Sequence, residues 1–243
     1  MYKVSIIIPL KEWESEKLIL LINSIQLFSN KYNIEIVLIY SGDSPSNLFD
    51  LHNIKTENLK IFYSEPKGIY NAFNFGLSKA SGEWIMFFGG DDLVLPSFGY
   101  ILSNIYSGNL NCDVLVCNVV FGKSGLFKPF KNRYGLIFRN WCQQGVIYNK
   151  KVFVDNKFDE KYPIQADHKF NIEISANSNF KIRYYDTIIA YFSTDGISQN
   201  SIDSNFWENM PKIISKNFGS FWGFICLVRR NIGMLIRKIR KII

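Results

Sequence analysis

The chain has 243 residues, 47% hydrophobic and 20% charged, which is enough for one well-buried α/β core and too little for two full-sized catalytic domains. The formal net charge is +7. Residues 219–243, the tail, contain six basic residues and no acidic one, so the rest of the chain, the body, carries about +1. We therefore expect no nucleic-acid partner for the body, and an anionic surface as the partner of the tail.

The cysteines predict reduced thiols and no zinc site. They lack a Cys-x-x-Cys spacing, and the chain has only two histidines to assist them. The apolar run at residues 4–8 is too short for a signal peptide or a membrane span. These features together predict a cytoplasmic protein. The cysteines are Cys112, Cys117, Cys142 and Cys226.

The first hundred residues alternate between strand and helix patterns. Short β-branched or apolar runs predict strands, and apolar residues three and four positions apart predict helices. The resulting order is β-α-β-β-α-β, which favours a mostly parallel sheet with helices packed on it. The predicted strands are 4–8, 34–40, 59–63 and 84–88, and the predicted helices are 14–28 and 71–79.

Chemically distinctive residues follow three of these strands. They are Pro9, Lys11 and Glu12 after the first strand, Tyr40 and Asp43 around the end of the second, and Gly89-Gly90-Asp91-Asp92 after the fourth. Ligands of open parallel sheets bind at the carboxyl ends of the strands. The three strand ends therefore predict a ligand site.

The adjacent carboxylates Asp91 and Asp92 are the strongest part of this prediction. One or two carboxylates can hold a hard divalent cation, Mn²⁺ or Mg²⁺, which neutralises the charge of a leaving pyrophosphate. Two preceding glycines would let a bulky charged ligand approach the backbone. The alternative is an Asp-rich turn that only caps the next element.

Several stretches of the chain resemble the inverting family-2 glycosyltransferases of the GT-A fold, especially the bacterial branch that builds surface polysaccharides. The resemblance covers about residues 3–195, and its most specific part runs from Gly68 to Pro96. It implies a Rossmann-like, mixed but mostly parallel α/β sheet. The matching stretches are 4–9, 64–74, 76–85, 88–96, 143–148 and 158–167.

The resemblance also implies residue roles. Asp91 would contact the donor ribose or the metal, and Asp92 the metal that bridges the diphosphate. Asp167 would be the general base that deprotonates the acceptor hydroxyl. The alternative for Asp167 is a helix N-cap, because residues 169–175 have a helical pattern. His168 is expected on the helix surface or in contact with the acceptor.

Further residues are assigned to the two substrates. Lys67, Gly68 and Asn71 belong to the predicted donor site, although Lys67 could equally be a solvated loop charge. The predicted acceptor site holds Trp141, Gln143, Gln144 and His168, with a core position as the alternative for Trp141. The family usually has an aspartate where this chain has Tyr40. Either Asp43 replaces it from a shifted turn, or Tyr40 stacks on the nucleotide base.

The C-terminal tail has the pattern of a basic amphipathic helix. Apolar residues recur at helical spacing from Ile232 to Ile243, and aromatic residues lie at the start of the tail. Such a helix fits the plane of an anionic bilayer, and the longest uncharged stretch, 217–228, is too short to span one. Packing on the body or on a partner subunit is the alternative. We divide the chain into a catalytic domain, 1–200, and a helical tail, 201–243.

These observations predict an inverting, metal-dependent glycosyltransferase on the cytoplasmic face of a bacterial inner membrane. It would move a sugar from a nucleotide-diphosphate donor, with UDP as the first choice, to a lipid-linked oligosaccharide. The product would be an O-antigen, capsule or exopolysaccharide. The alternatives are a nucleotidyltransferase and a non-catalytic sugar- or nucleotide-binding scaffold. The absence of a Gly-rich fingerprint excludes dehydrogenases and kinases.

Overall fold

The computed structural model describes residues 2–11, 15–42, 57–193 and 203–240, apart from the side chains of 15 and 234–240. The described part forms nine strands and six helices. The strands are β1 (Val4–Leu10), β2 (Ile34–Tyr40), β3 (Leu59–Tyr63), β4 (Trp84–Phe87), β5 (Leu93–Val94), β6 (Val114–Phe121), β7 (Gly125–Phe127), β8 (Val146–Asn149) and β9 (Ile182–Phe192). The helices are α1 (Ser15–Gln26), α2 (Ile69–Lys79), α3 (Phe98–Tyr106), α4 (Ala166–Ala176), α5 (Ser204–Phe218) and α6 (Ser220–Arg240).

The strands form one mixed sheet in the order β3-β2-β1-β4-β8-β6-β9-β5, with β7 paired to β6. Strands β1 to β4 are parallel to one another, whereas β8 runs antiparallel to both of its neighbours. The predicted α/β class and mostly parallel N-terminal half are therefore confirmed. Both predicted helices form, and β1 continues through Pro9 to Leu10.

Helices cover both faces of the sheet, as expected for strands that are apolar on both sides. Ile6 and Ile8 of β1 face the layer that contains α1 and α3, while Ile7 faces the layer of α2, α4 and α5. Helix α2 approaches the sheet closely at Gly76, where a Cβ atom would lie 2.5 Å from Ile7 Cγ2. Only a glycine allows this packing distance.

The last two helices are attached to this core. Helix α5 buries Phe206, Met210 and Ile214 in the same cluster as α2 and α4, so residues 203–218 pack on the predicted catalytic domain. Helix α6 packs on α5 at Gly223, where a Cβ would lie 2.6 Å from Ser215 Cβ. None of the described helices combines the length and apolar character needed to cross a membrane.

A buried carboxylate ties the amino ends of the central strands together. Glu35 of β2 is fully buried and accepts hydrogen bonds from Ser5 and Lys60 and from both the backbone N–H and the hydroxyl of Ser81. Burial raises the pKa of Glu35, but the hydrogen bonds lower it, and the net result is a pKa below the ordinary 4.5. The ionised form is therefore stabilised by folding.

We predict that Glu35→Ala lowers the free energy of unfolding by about 3 kcal/mol, because buried donors on Ser5 and Ser81 lose their acceptor. Since the folded pKa is depressed, the part of this contribution that depends on ionisation is complete above the unfolded pKa of 4.5 and is lost as the pH falls through the folded pKa. Urea denaturation at several pH values measures both effects. Exposed Glu57 provides the control: Glu57→Ala should change stability by less than about 0.5 kcal/mol. Equal losses in the two variants would contradict the prediction.

Candidate active site

The Gly-Gly-Asp-Asp turn lies where β4 ends, at the carboxyl edge of the parallel strands. The N–H of Phe88 still donates to the Ile7 carbonyl of β1, at 3.1 Å, and the Asp92 N–H then turns back to the Gly89 carbonyl, at 3.3 Å. The site edge is therefore formed by the ends of neighbouring parallel strands, as the sequence predicted.

Asp92 is a buried carboxylate with three protein donors. It is 1% exposed. Its Oδ2 accepts the Gly89 N–H and the Gln144 side-chain amide, each at 2.7 Å, and its Oδ1 accepts the Ser193 N–H at 3.0 Å. Burial, with a smaller contribution from the charge of Asp91, raises the pKa of Asp92 to about 7. Asp92 thus joins the turn to the 3₁₀ turn Gln143–Gly145 and to the end of β9.

Asp91 is partly exposed and has no hydrogen-bond donor within the described ranges. A Cβ atom on Gly89 would lie 3.0 Å from Asp91 Oδ1 and 3.0 Å from Asp92 Oδ2, so oxygens of both carboxylates line the space left by this glycine. One or two carboxylates beside a space open to substrate phosphates are a donor set that suits Mg²⁺ or Mn²⁺. The described residues hold no group of three or more metal-ligating side chains, so a cation here would need phosphate and water ligands.

Asp167 lies in the first turn of α4, and the N-cap of that helix is Gln165 rather than Asp167. Its Oδ2 accepts the Asn140 side-chain amide and its Oδ1 the backbone N–H of His168, both at 2.8 Å. The Tyr70 hydroxyl lies 2.8 Å from Oδ1. Burial raises the pKa of Asp167 to about 6, and these hydrogen bonds limit the rise. A carboxylate with this pKa suits a general base near neutral pH.

The Tyr70 hydroxyl also lies 2.8 Å from the Ile164 carbonyl oxygen. A hydroxyl has one proton, so only one of these two acceptors can receive it at a time. When Asp167 is ionised, Tyr70 donates to the carboxylate. When Asp167 is protonated, its O–H can donate a hydrogen bond to the Tyr70 oxygen, and Tyr70 then donates to the Ile164 carbonyl. Tyr70 therefore has a partner in both protonation states of Asp167.

The five-residue segment 140–144 connects the two carboxylates. Its first residue, Asn140, donates to Asp167, and its last, Gln144, donates to Asp92. Four residues of chain span at most about 14 Å. Between them lies Cys142, whose thiol pKa is raised by burial and by the charges of both Asp92 and Asp167. The structure thus links Asp92 and Asp167 through the two ends of one short segment.

Two buried donors in this segment have no hydrogen-bond partner in the described part of the chain, namely Trp141 Nε1 and Gln143 Nε2. An unpaired buried donor is costly, so such groups call for a partner. Both residues belong to the predicted acceptor site. The Trp141 indole is 2% exposed and packs edge-on against Tyr184. Trp141 is therefore part of the core, which was the alternative to an acceptor contact.

The remaining predicted donor residues that the structure describes lie near the end of β1 or the start of α2. Pro9 is partly buried in β1, Lys11 follows it and is exposed, and Gly68 directly precedes α2. Asn71 donates to Glu160 at 3.0 Å. Lys67 is exposed and forms an ion pair with Glu65 at 2.6 Å. Glu12 and Asp43 lie outside the described residues.

Three of the expectations for individual side chains need correction. Tyr40 is 1% exposed and belongs to the core cluster, so its ring is not available to stack on a base. His168 is buried, not on the helix surface, and its Nε2 lies 2.7 Å from the Leu136 carbonyl; burial lowers its pKa to about 4. Gln144 is buried and engaged with Asp92. Neither His168 nor Gln144 is free to meet an acceptor in this arrangement.

The profile of the family described as "Glycosyl transferase family 2" matches residues 5–172. The chain belongs to glycosyl transferase family 2. A "PGL/p-HBAD biosynthesis glycosyltransferase" of Mycobacterium bovis (strain BCG / Pasteur 1173P2) is 28% identical to this family member over 188 residues, which cover 74% of this chain and 73% of that protein. A protein of the same description from Mycobacterium tuberculosis (strain ATCC 25177 / H37Ra) has the same identity and coverage.

Solved structures of S. aureus TarS share the fold. TarS 1–349 in complex with UDP-GlcNAc superposes with a TM-score of 0.69 at 20% identity, covering 87% of this chain and 65% of that chain. A second TarS structure gives a TM-score of 0.67 and covers 88% of this chain. This glycosyltransferase spans only 39% of that longer TarS chain. The GT-A fold expected from the sequence is therefore confirmed.

Sequence reasoning assigned no role to Tyr70, Asn140 or Ser193, which hold the two carboxylates. Tyr70 follows Gly68 inside the most specific stretch of the resemblance, so its position offered a signal. Asn140 and Ser193 offered none, because neither the side chain of Asn140 nor the backbone N–H of Ser193 has a pattern of its own. Only folding brings them to Asp167 and Asp92.

Neutralising the two neighbouring aspartates should separate their roles. Asp92→Asn places an amide NH₂ against an N–H donor, so we predict a loss of about 2 kcal/mol in the free energy of unfolding. Asp91→Asn, at a partly exposed position, should change it by less than about 0.5 kcal/mol. The folded pKa of Asp92 is raised to about 7, so the wild type loses stability as the pH rises toward 7. Guanidinium denaturation near pH 4, where folded Asp92 is protonated, therefore measures both variants without this added effect. A larger loss in Asp91→Asn would contradict this division.

Proposed function

We propose that this glycosyltransferase transfers a sugar, with inversion, from a UDP-sugar to a hydroxyl of a lipid-linked oligosaccharide. The observation that carries the proposal is the segment 140–144, which holds Asp92 at one end and Asp167 at the other. A single-displacement transfer needs a donor centre and a base on opposite sides of the reacting acceptor hydroxyl, and one segment that contacts both carboxylates supports such an arrangement.

The donor half of the proposal rests on the Gly89–Asp92 turn. Asp91, being partly exposed and unpaired among the described residues, is the carboxylate proposed to meet the cation and the donor. Asp92 would be the second carboxylate of the cation site, on its buried side, and would hold the turn in place through its three hydrogen bonds. When bound, Mn²⁺ or Mg²⁺ would neutralise charge on the leaving diphosphate. UDP is the proposed nucleotide because the TarS structure with the same fold holds UDP-GlcNAc.

The base half of the proposal rests on Asp167. Its carboxylate would take the proton of the acceptor hydroxyl while the hydroxyl oxygen forms a bond to the anomeric carbon and the bond to the diphosphate breaks. Tyr70 and Asn140 would hold the carboxylate in place during this step. The proton would remain on Asp167, shared with the Tyr70 oxygen, until solvent removes it.

Family membership and the glycosyltransferase relatives favour a transferase over a nucleotidyltransferase or a scaffold. For the acceptor, a basic C-terminal helix beside the body favours a lipid-linked molecule at the cytoplasmic face of a bacterial inner membrane. The product class we propose is an O-antigen, capsule or exopolysaccharide.

Calorimetry with UDP tests the donor site without requiring an acceptor. Wild type should bind UDP in the presence of Mn²⁺, and Asp91→Asn should weaken binding at least about tenfold because the cation loses a carboxylate ligand. Asp155→Asn, at an exposed position away from the turn, should bind like wild type. The proposal fails if the folded wild type binds no nucleoside diphosphate with or without Mn²⁺.

The pH profile of transfer tests the base. Because the pKa of Asp167 is about 6 and the ionised form is active, UDP release with membrane-extracted acceptors should rise with pH through this value. Tyr70→Phe and Asn140→Ala each remove a donor to the carboxylate, so the acid limb should move to higher pH by about 1 unit.

Tyr106→Phe serves as the control for the tyrosine substitution, since the Tyr106 hydroxyl donates to the Asn33 carbonyl away from the site. Its profile should match that of wild type. An unshifted acid limb in both site variants, with activity otherwise measurable, would remove Asp167 as the titrating base.

A further inference from the structure

A second basic segment lies in the middle of the chain. Residues 114–154 contain no acidic residue, and 122–139 contain five basic ones. Exposed apolar side chains alternate with them, namely Leu126, Phe130 and Phe138. The basic residues are Lys123, Lys128, Lys131, Arg133 and Arg139.

Helix α6 exposes an apolar side of its own. Phe221 and Phe224 are 68% and 63% exposed, and Val228 and Ile232 are also exposed. Their spacing of three and four residues places them along one side of the helix. The opposite side, with Gly223 and Cys226, packs on the body. One side of α6 therefore packs on the body, as one alternative for the tail had it, and the other side stays exposed and could meet a bilayer.

Two contacts hold this helix against the basic segment. Arg229 donates to the carbonyls of Ile137 and Phe138, at 2.9 and 2.8 Å, and its guanidinium lies 5.6 Å from the centre of the Phe138 ring. Tyr134 stacks on Trp222, with ring centres 4.5 Å apart. Arg229 adjoins Val228 and precedes Ile232 by one turn, so the exposed side of α6 continues beside Phe138.

Side chains within the segment reinforce its exposed surface. Arg139 lies over the rings of Phe127 and Phe130, at 4.3 and 5.2 Å, and Phe130 packs edge-on against Phe138. Asp186 is the acidic residue that pairs with Lys128 and Lys131, and it neutralises part of the charge. Arg133 and Arg139 have no carboxylate partner within the described ranges. The surface therefore remains basic as well as aromatic.

We propose that residues 126–139 and the exposed side of α6 form one membrane-docking surface for an anionic lipid bilayer. Exposed phenylalanines interleaved with arginine and lysine suit the headgroup boundary of such a bilayer, because the rings enter the apolar layer while the cations meet lipid phosphates. The excess of positive charge favours a bilayer as the partner, because residues 122–139 contain five basic residues and no acidic one, and a negatively charged lipid surface attracts each of them.

The position of this membrane-docking surface has a consequence for the site. Phe138 and Arg139 directly precede Asn140, which donates to Asp167. Docking would bring the Asp167 end of the active site toward the bilayer, where a lipid-linked acceptor resides. This consequence rests on the proposed function, whereas the docking surface itself does not.

The test is co-sedimentation of the full chain with vesicles of phosphatidylglycerol and phosphatidylcholine in a mixed composition, and with vesicles of phosphatidylcholine alone. Wild type should bind the anionic vesicles, and added salt should weaken binding. Phe221→Ser with Phe224→Ser should reduce binding by roughly tenfold or more. Lys131→Glu with Arg133→Glu should do the same by reversing charge.

Matched controls change equally exposed residues elsewhere. Leu20 and Leu27 are 57% and 73% exposed, so Leu20→Ser with Leu27→Ser should leave vesicle binding unchanged. Lys31→Glu with Lys157→Glu controls for net charge. Thermal unfolding and Mn²⁺-dependent UDP binding establish that each variant is folded. If wild type binds no UDP, that result counts against the proposed function and leaves the docking surface unaffected.

Three outcomes would overturn the proposal. The first is that wild type binds anionic and neutral vesicles equally, or binds neither. Another is undiminished binding by both variants of the surface. The third is binding of a single-stranded oligonucleotide that depends on the same residues when vesicles do not bind, which would assign the surface to nucleic acid instead.

Discussion

One short segment that donates to two carboxylates is the constraint on which the site depends. Asp92 is buried and Asp167 is partly exposed, yet both accept a hydrogen bond from a side-chain amide of residues 140–144. An ionised carboxylate without donors cannot stay buried, because its desolvation costs too much free energy. Segment 140–144 must therefore hold its path between β4 and α4. That requirement explains why the 3₁₀ turn Gln143–Gly145 packs so tightly, with a Cβ on Gly145 only 2.8 Å from the Cys117 carbonyl oxygen.

Burial raises the pKa of both carboxylates and hydrogen bonding lowers it, so the balance between the two sets the pH at which each carboxylate ionises. Burial raises the pKa of Asp167 to about 6, with the hydrogen bonds from Tyr70 and Asn140 limiting the rise. A fully solvated aspartate would be too weak a base to draw a proton from a hydroxyl, and one buried without donors would stay protonated near neutral pH. Asp92, at about 7, is enclosed more completely and has a neighbouring charge in Asp91. Asp91 itself is partly exposed, whereas Asp92 is almost fully buried.

The two C-terminal helices pack on the rest of the protein and contact the segments next to Asp167 and Asn140. Buried Asp203 caps α5 through the Phe206 N–H and also accepts the N–H groups of Ile164 and Gln165, directly before α4. Helix α6 then reaches the segment before Asn140 through Arg229. The segments that precede Asp167 and Asn140 are thus both contacted by residues of the C-terminal part, Asp203 and Arg229. Helix α6 is thus connected through residues 137–140 to the carboxylate of Asp167.

The sequence by itself determined the α/β class, the four parallel strands, both early helices and the position of the Gly-Gly-Asp-Asp turn. These follow from local signals: apolar periodicity, glycine and proline breaks, and a stretch from Gly68 to Pro96 that resembles a known family. Only the tertiary structure decided which side chains surround the carboxylates. His168 and Gln144 looked like acceptor contacts because they are polar and lie in matching stretches, but folding turns His168 to the Leu136 carbonyl and Gln144 to Asp92. Tyr40 ends a strand yet belongs to the core. Contacts such as Asn140 to Asp167 and Ser193 to Asp92 join residues 27 and 101 positions apart, and no periodicity along the chain encodes a partner at that distance.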